Sequence, residues 1–412
     1  MHILFLTDNF PPEVNAPASR THEHCREWVK AGHRVTIITC APNFPTGRVY
    51  PGYRNRLWQQ EMIDGIRVIR VWSYITRNEG FLKRTLDYVS FMVSAFLAAL
   101  FVRRVDVIVG TSPQFFTACA AWAVGLVKRR PWIFELRDLW PESIRAVGAI
   151  RREWLLDALE RIELFLYKRA TAVVSVTHAF RRDLVRRGID PAKIHVVTNG
   201  VDLSRFRPGP KDAELERALG LRECFVAGYI GTHGLAHGLD TLVDVAAALQ
   251  ADDPDGAVRI LMLGDGAERA RLEARARDLG LRNMLFVASV PKDQVARYWS
   301  LLDVSIIHLR KSELFRTVIP SKLFECMGMG IPVLHGVEGE SAEIVTGSDI
   351  GLPVEPENAA ALTEALRRLV DDADLRRRFA ANGPIAARRF ERVNLAADML
   401  AVLEAASDAA RR

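Results

Sequence analysis

The stretch PSKLFECMGMGIPVL, residues 320–334, sets a serine, a lysine and, three residues further on, a glutamate at the mouth of an apolar helical pattern. At that spacing Lys322 and Glu325 share one helix face. With Ser321 as the cap, the first backbone N–H groups point out of the positive helix end, where they and the Lys322 ammonium can hold a diphosphate. Glu325, one turn in, can accept hydrogen bonds from both hydroxyls of a ribose. A solvated lysine and a helix-dipole partner are the plainer readings of each residue alone; their combination ahead of MGMGIPV favours a nucleotide.

Two glycine-bearing turns come earlier. Gly231-Thr232-His233-Gly234 closes the apolar run FVAGYI, and its glycines let the backbone approach a phosphate while Thr232 donates a hydrogen bond. Gly264-Asp265-Gly266 follows VRILML with only two glycines of a GxGxxG pattern and no ribose-binding acid at the usual interval. It reads as a tight strand-to-helix turn rather than a dinucleotide site.

These segments need elements to position them. Apolar runs rich in Val and Ile alternate with amphipathic helical stretches: HILFLT, RVTIIT, IRVIRV, DVIVGT, WIFELR, AVVSVT and HVVT, then FVAGYIG, VRILMLG, MLFVAS, VSIIHL and IPVLH. Continuous apolar strands separated by helices imply buried parallel sheets, here as two doubly wound α/β domains. The boundary is expected in TNGVDLSRFRPG, giving residues 1–200 and 201–385, with a terminal helix over 386–412 that can pack back on the first domain.

The net charge of +6 is uneven: residues 1–199 carry 29 Lys plus Arg against 18 Asp plus Glu, a net +11, and the rest carry 27 against 32, a net −5. Basic clusters stand at Lys128-Arg129-Arg130, Arg151-Arg152, Lys168-Arg169 and Arg181/Arg182/Arg186/Arg187, the last on one helix face. No recognition motif or aromatic platform accompanies them, which argues against nucleic acid and for an anionic membrane surface or a phosphate-bearing substrate. Residues 88–102, YVSFMVSAFLAALFV, are uncharged and flanked by Lys83-Arg84 and Arg103-Arg104. That is shorter than the roughly 20 residues of a membrane span, leaving a core helix or one lying in a bilayer interface. The five scattered cysteines (Cys25, Cys40, Cys119, Cys224, Cys326) form neither a disulfide framework nor a zinc motif, and MHILFLTDNF reads as a first strand rather than a signal peptide. A cytoplasmic setting is expected.

With these pieces assembled, the chain resembles the retaining glycosyltransferases of family 4. The resemblance rests on PPEVNAPASR, FELRDLWPES, TNGVDLSRFRP, LMLGDGAERARLEARARDLGL with NMLFVASVP, LLDVSIIHL and PSKLFECMGMGIPVL. ELRDLWPES, GLAHGLDTL and PSKLFE together are similar to bacterial transferases of N-acetyl-L-fucosamine and related amino sugars in O-antigen and capsule assembly. The resemblance implies a GT-B fold, two Rossmann-like domains facing across a cleft, with a UDP-sugar bound mainly by the second domain and a lipid-linked saccharide acceptor mainly by the first. It assigns Glu325 to the ribose, Ser321 and Lys322 to the diphosphate, Gly231 and Thr232 to the phosphates and the backbone at Val290 to uracil. It further implies that Asn15 and Ala16 contact diphosphate or acceptor, that Arg137 lies at the substrate, and that Asp138 and Glu142 orient the acceptor or donor hydroxyls, with capping of the following turn the alternative role for Asp138.

The sequence departs from the family pattern at several of these places. Thr317 stands where a glutamate commonly contacts the donor sugar, and Thr232 and His237 stand where an arginine and a lysine commonly meet the diphosphate, leaving that charge to Lys322 and Arg316. Arg137 replaces a histidine, and Asn15-Ala16-Pro17-Ala18 replaces paired glycines. The mechanism implied is metal-independent and needs no cofactor beyond the UDP-sugar co-substrate: attack from the face of the departing UDP, with the leaving phosphate taking the proton, at the cytoplasmic face of the inner membrane. Other readings of the same sequence are a non-hydrolysing UDP-sugar 2-epimerase and a non-catalytic peripheral membrane scaffold.

Overall fold

The computed structural model describes residues 1–44, 46–76, 81–112, 114–139, 153–254 and 256–411. Contacts divide it into two units, Met1–Thr198 with Arg392–Arg412, and Asn199–Glu391. Residues 386–391, grouped with the terminal helix in the sequence reading, thus belong to the second unit.

The first unit is built on strands β1 (His2–Leu6), β2 (Arg34–Cys40), β3 (Trp58–Ile63), β4 (Ile66–Val71), β5 (Val107–Thr111), β6 (Trp132–Leu136), β7 (Ala172–Ser175) and β8 (Ile194–Val196). They lie in the order β3-β4-β2-β1-β5-β6-β7-β8. Successive side chains face opposite sides of the sheet, and both sides are covered, which is why the central strands read as unbroken apolar runs. Leu4, Ile38, Ile69, Ile108 and Phe134 pack on one side with Phe91 and Ala95 of helix Phe81–Leu100. Ile3, Phe5, Ile37, Val68 and Val109 pack on the other with Trp28 of helix Ala16–Lys30 and with Leu395, Ala396 and Met399 of the terminal helix Arg392–Ala409. The Trp28 indole donates to Ala396 O at 2.8 Å, and Arg392 pairs with Glu23.

One strand departs from the expected parallel pattern. β3 runs antiparallel to β4 at the sheet edge, turned by Asp64-Gly65, both at positive φ. A two-residue Asp-Gly turn of that kind matches the twist of a hairpin. The polar alternation of WQQEMI suits an edge with one face open to solvent.

The second unit carries β9 (Phe225–Ile230), β10 (Val258–Leu263), β11 (Met284–Val287), β12 (Val304–His308), β13 (Val333–Gly336) and β14 (Gly351–Pro353). The order β11-β10-β9-β12-β13-β14 is parallel throughout. Chain direction across the sheet reverses between β9 and β12, so the crevice beyond their carboxyl ends is where such a sheet binds ligands. In the first unit the same reversal lies between β1 and β5.

The Arg181/Arg182/Arg186/Arg187 cluster does not form one cationic face. Arg187 turns inward to Glu163 at 2.7 Å and Glu160 at 3.1 Å, and Arg186 pairs with Asp183. The buried Glu163 recruits Arg187 for packing, whereas the Arg186 side chain stays 79% exposed. Among the described residues no helix is long and apolar enough to cross a membrane.

Candidate nucleotide-binding site

Three segments converge at the switch point of the second unit: the turn after β9, the turn after β10 and helix Lys322–Met329. Leu323, Phe324, Cys326 and Met327 bury one side of this helix, which leaves Lys322 and Glu325 on the other. Gly330 closes it in a left-handed conformation, with Ile331 N–H returning to Cys326 O at 3.0 Å. Ser321 occupies the cap position, but its side chain makes no capping bond and its backbone is already helical. The expected serine cap is therefore absent; Leu323 N–H bonds instead to Pro320 O at 3.0 Å, tightening the first turn.

Lys322 reaches back under the β9 turn. Its Nζ lies 3.6 Å from the centroid of the Tyr229 ring, buried and without a hydrogen-bond partner among the described residues. Burial lowers its amine to about 7, with the tyrosine face acting in the opposite direction by attracting the cation. Tyr229 also donates its hydroxyl to Thr232 O at 2.8 Å and stands edge-on to His237. One buried tyrosine thus sets Lys322, Thr232 and His237 around a common point. His237 is held down to about 4 by burial and the nearby Lys322, so it is neutral near pH 7.

The glycines of both turns are there for close approach. A Cβ on Gly231 would lie 2.6 Å from Lys322 Nζ, and one on Gly264 would lie 1.9 Å from Gly231 O. The GDG turn therefore packs the two loops together.

Glu325 has its Oε2 bonded to the Trp299 indole N–H at 3.0 Å, and burial raises its pKa. Val290 follows β11, half-buried against the apolar core of the unit. Thr317 ends a short turn, Phe315–Thr317, and its hydroxyl donates to Leu314 O at 2.6 Å. The Arg316 guanidinium, half exposed, pairs with Glu313 at 3.1 Å and stands 3.8 Å from Glu338. Lys322 is thus the sequence-predicted cation that the fold places in the pocket.

His308, at the end of β12, is a residue that sequence reasoning missed. Its Nδ1–H donates to His237 O at 2.7 Å, and its Nε2 accepts from Glu357 N–H at 2.9 Å. Both nitrogens are committed to backbone, so the ring is a neutral clamp holding the His237 turn; burial also lowers its pKa. Replacing it by leucine removes the part-buried bonds to His237 O and Glu357 N–H, at about 0.5–1.5 kcal/mol each. His308→Leu should therefore lower the unfolding transition of the second unit, measured by thermal denaturation, and His308→Gln should recover part of the loss.

In the first unit Asn15 caps helix Ala16–Lys30, its Oδ1 accepting from Ala18 N–H at 2.9 Å and its Nδ2 donating to Asn9 Oδ1 at 2.5 Å. Arg137 donates to Pro17 O at 3.1 Å, so Asn15, Ala16 and Arg137 gather at one helix start. Ser112 Oγ accepts from the backbone N–H of Arg137 at 2.7 Å and of Asp138 at 3.2 Å. Beneath them Arg20 bonds Glu135 at 2.9 Å in the core. Asp8, just after β1, is raised to about 7 by burial and was not singled out in the sequence. Glu142 lies outside the described residues.

Comparison with known proteins follows the same division. Residues 15–200 match the glycosyl transferase 4-like domain and residues 214–385 match the glycosyl transferases group 1 domain. The chain is 26% identical over 387 residues to the putative colanic acid biosynthesis glycosyl transferase WcaI of Escherichia coli, covering 89% of this chain and 92% of that one. It is 26% identical to a GDP-mannose-dependent alpha-mannosyltransferase of Mycobacterium tuberculosis, over 94% and 91% of the two chains. Among solved structures, Anabaena Alr3699/HepE in complex with UDP and glucose has a TM-score of 0.73 at 18% identity, covering 98% and 99% of the chains. Sucrose-phosphate synthase from Thermosynechococcus elongatus has a TM-score of 0.73 at 20% identity, covering 97% of each. The chain is accordingly a glycosyltransferase of GT-B fold, built from a glycosyl transferase 4-like domain followed by a group 1 domain.

Proposed function

We propose that the protein transfers a sugar from a UDP-sugar to a lipid-linked saccharide, with retention of anomeric configuration, in the assembly of a cell-surface polysaccharide. The observation that carries this reading is the buried Lys322 Nζ, which lacks a hydrogen-bond partner among the described residues and sits against the glycine turn after β9. Such an amine is costly to bury and is answered by an anion. A diphosphate supplies it. Glu325, with one oxygen oriented by Trp299, would accept from the ribose through the other. The complexes of Anabaena HepE with UDP and the role in WcaI's name support a UDP donor and a surface polysaccharide. The motifs ELRDLWPES, GLAHGLDTL and PSKLFE favour an N-acetylated amino or deoxyamino sugar.

In this mechanism the bond from the anomeric carbon to the UDP oxygen breaks as the acceptor hydroxyl forms its own bond on the same face. The hydroxyl proton passes to the leaving phosphate. Charge developing there is met by the Lys322 amine, a donor held against Tyr229 before the reaction begins. Neither a metal ion nor a protein base is required. Asp138, Glu142, Arg137, Asn15 and Ala16 would position acceptor or donor hydroxyls, and the +11 segment would meet an anionic membrane surface at the cytoplasmic face.

Calorimetric titration with UDP and GDP in parallel tests the donor. UDP should bind at least about tenfold more tightly, the cost of a lost base contact, and Glu325→Ala should weaken UDP by a similar factor while leaving inorganic pyrophosphate unaffected. Tighter binding of GDP would overturn the choice of nucleotide, and an unchanged Glu325→Ala titration would remove the ribose assignment.

A further inference from the structure

Helix Phe81–Leu100 buries only one of its faces. Phe91, Ala95, Ala98 and Ala99 lie in the core, whereas Leu86, Val93, Leu97 and Leu100, at i, i+7, i+11 and i+14, stand in solvent. Phe101, directly after the helix, is 76% exposed. The stripe continues onto the sheet edge: Trp58 of β3 stands edge-on to Phe101 at 6.3 Å, and the neighbouring Leu57 is 81% exposed. It also continues onto helix Phe115–Lys128, whose Lys128 Nζ bonds Leu100 O at 3.2 Å and Val102 O at 2.9 Å, bringing the exposed Leu126 and Val127 alongside. Single apolar residues in solvent are ordinary; a continuous stripe with two aromatic residues marks a contact surface.

Its rim is basic. Arg54, Arg56, Lys83, Arg103, Arg104, Arg129 and Arg130 are exposed around it. Asp87 is the only acid in helix Phe81–Leu100, and helix Phe115–Lys128 has none. A two-fold pair of copies meeting here would bring like-charged rims together, an arrangement a symmetric interface cannot escape. An apolar stripe with interfacial aromatics inside a cationic rim matches a bilayer with anionic headgroups.

We propose that this face seats the protein on an anionic lipid bilayer, with helix Phe81–Leu100 lying in the interface plane. The contact is separate from the basic cluster at Arg181–Arg187, whose Arg187 is spent on internal carboxylates. It deepens the proposed function only in its purpose, since a protein held there meets a lipid-linked acceptor; lipid and nucleotide binding are measured independently.

The test is co-sedimentation of the full chain with phosphatidylcholine vesicles, with and without phosphatidylglycerol. The parent should bind the anionic vesicles and be released by salt. A Val93→Ser/Leu97→Ser/Phe101→Ser variant should bind at least about tenfold more weakly, three exposed apolar groups being lost from the contact. An Arg103→Ser/Arg104→Ser variant should lose much of the salt-sensitive part. Both should keep the parent's circular dichroism and UDP titration. The proposal is overturned if the triple variant binds as the parent does, if phosphatidylglycerol makes no difference, or if the parent is a dimer that the triple variant splits. Loss of UDP binding by the parent itself would count against the donor site and leave the lipid face standing.

Discussion

Lys322→Ala should weaken binding of a UDP-sugar by about 30- to 150-fold, the loss of a charge-assisted contact of about 2–3 kcal/mol in a desolvated site. Its stability should rise or stay level, because the parent buries an amine with no hydrogen-bond partner among the described residues. That opposite movement of affinity and stability separates a ligand-binding lysine from a structural one. A pH dependence follows from the same group. Burial lowers the free-state amine to about 7, and a bound diphosphate favours the charged form, so the bound-state pKa is higher. Affinity is then greatest below about pH 7 and falls as pH rises through that value, by up to about tenfold per unit, until the bound-state pKa is passed. A UDP-sugar is the right probe, since its diphosphate carries no titrating hydroxyl in this range. Lys322→Ala should lose this slope, and calorimetry in buffers of different ionisation enthalpy should detect proton uptake by the parent alone.

The second large effect is expected at Gly264→Ala. Gly264 has φ +149°, where L side chains are strained, and its new Cβ would stand 1.9 Å from Gly231 O, a backbone atom that cannot swing away. Strain of about 1–3 kcal/mol adds to the cost of parting the two turns. Denaturation should show the second unit destabilised by about 3 kcal/mol or more. UDP binding should fall with it, because moving Gly231 disturbs the space that Lys322 Nζ occupies. A variant with parental stability would mean that the two turns are not packed as described.

Much of the fold is legible because its strands are buried on both faces. FVAGYI and VRILML could hardly be anything but central strands once helices separate them. β3 is hidden by the opposite circumstance: WQQEMI lies at an edge, half in water, and has no apolar run, although the Asp64-Gly65 turn was its available signal. In the site, Ser321, Lys322 and Glu325 announce themselves by spacing along one helix. Tyr229, Trp299 and His308 do not, because each reads as an ordinary core residue and acquires its role through partners distant in sequence: Lys322, Glu325 and the His237 turn. Arg316 and Arg187 show the reverse. Their charges suggested ligand or membrane contact, but nearby carboxylates take them up. Sequence displays charge, and only the fold shows which charge has already been answered.

The pairing of Arg316 with Glu313 at the surface sharpens the role of Lys322. With Thr232 and His237 uncharged near neutral pH, the β9 turn offers hydrogen bonds but no cation. The single amine under Gly231 is then the electrostatic centre of the pocket, and Tyr229 is what holds it there in the absence of ligand.

The most direct measurement of the central claim is incubation of the full chain with a panel of UDP-sugars and membranes carrying lipid-linked saccharides, with acceptor mass and UDP release read together. The account predicts that one UDP-sugar adds a single sugar residue to the acceptor, that UDP appears in equal amount, and that Lys322→Ala abolishes both. Conversion of a UDP-sugar to its epimer without acceptor, or vesicle binding with no UDP-sugar consumed, would contradict it.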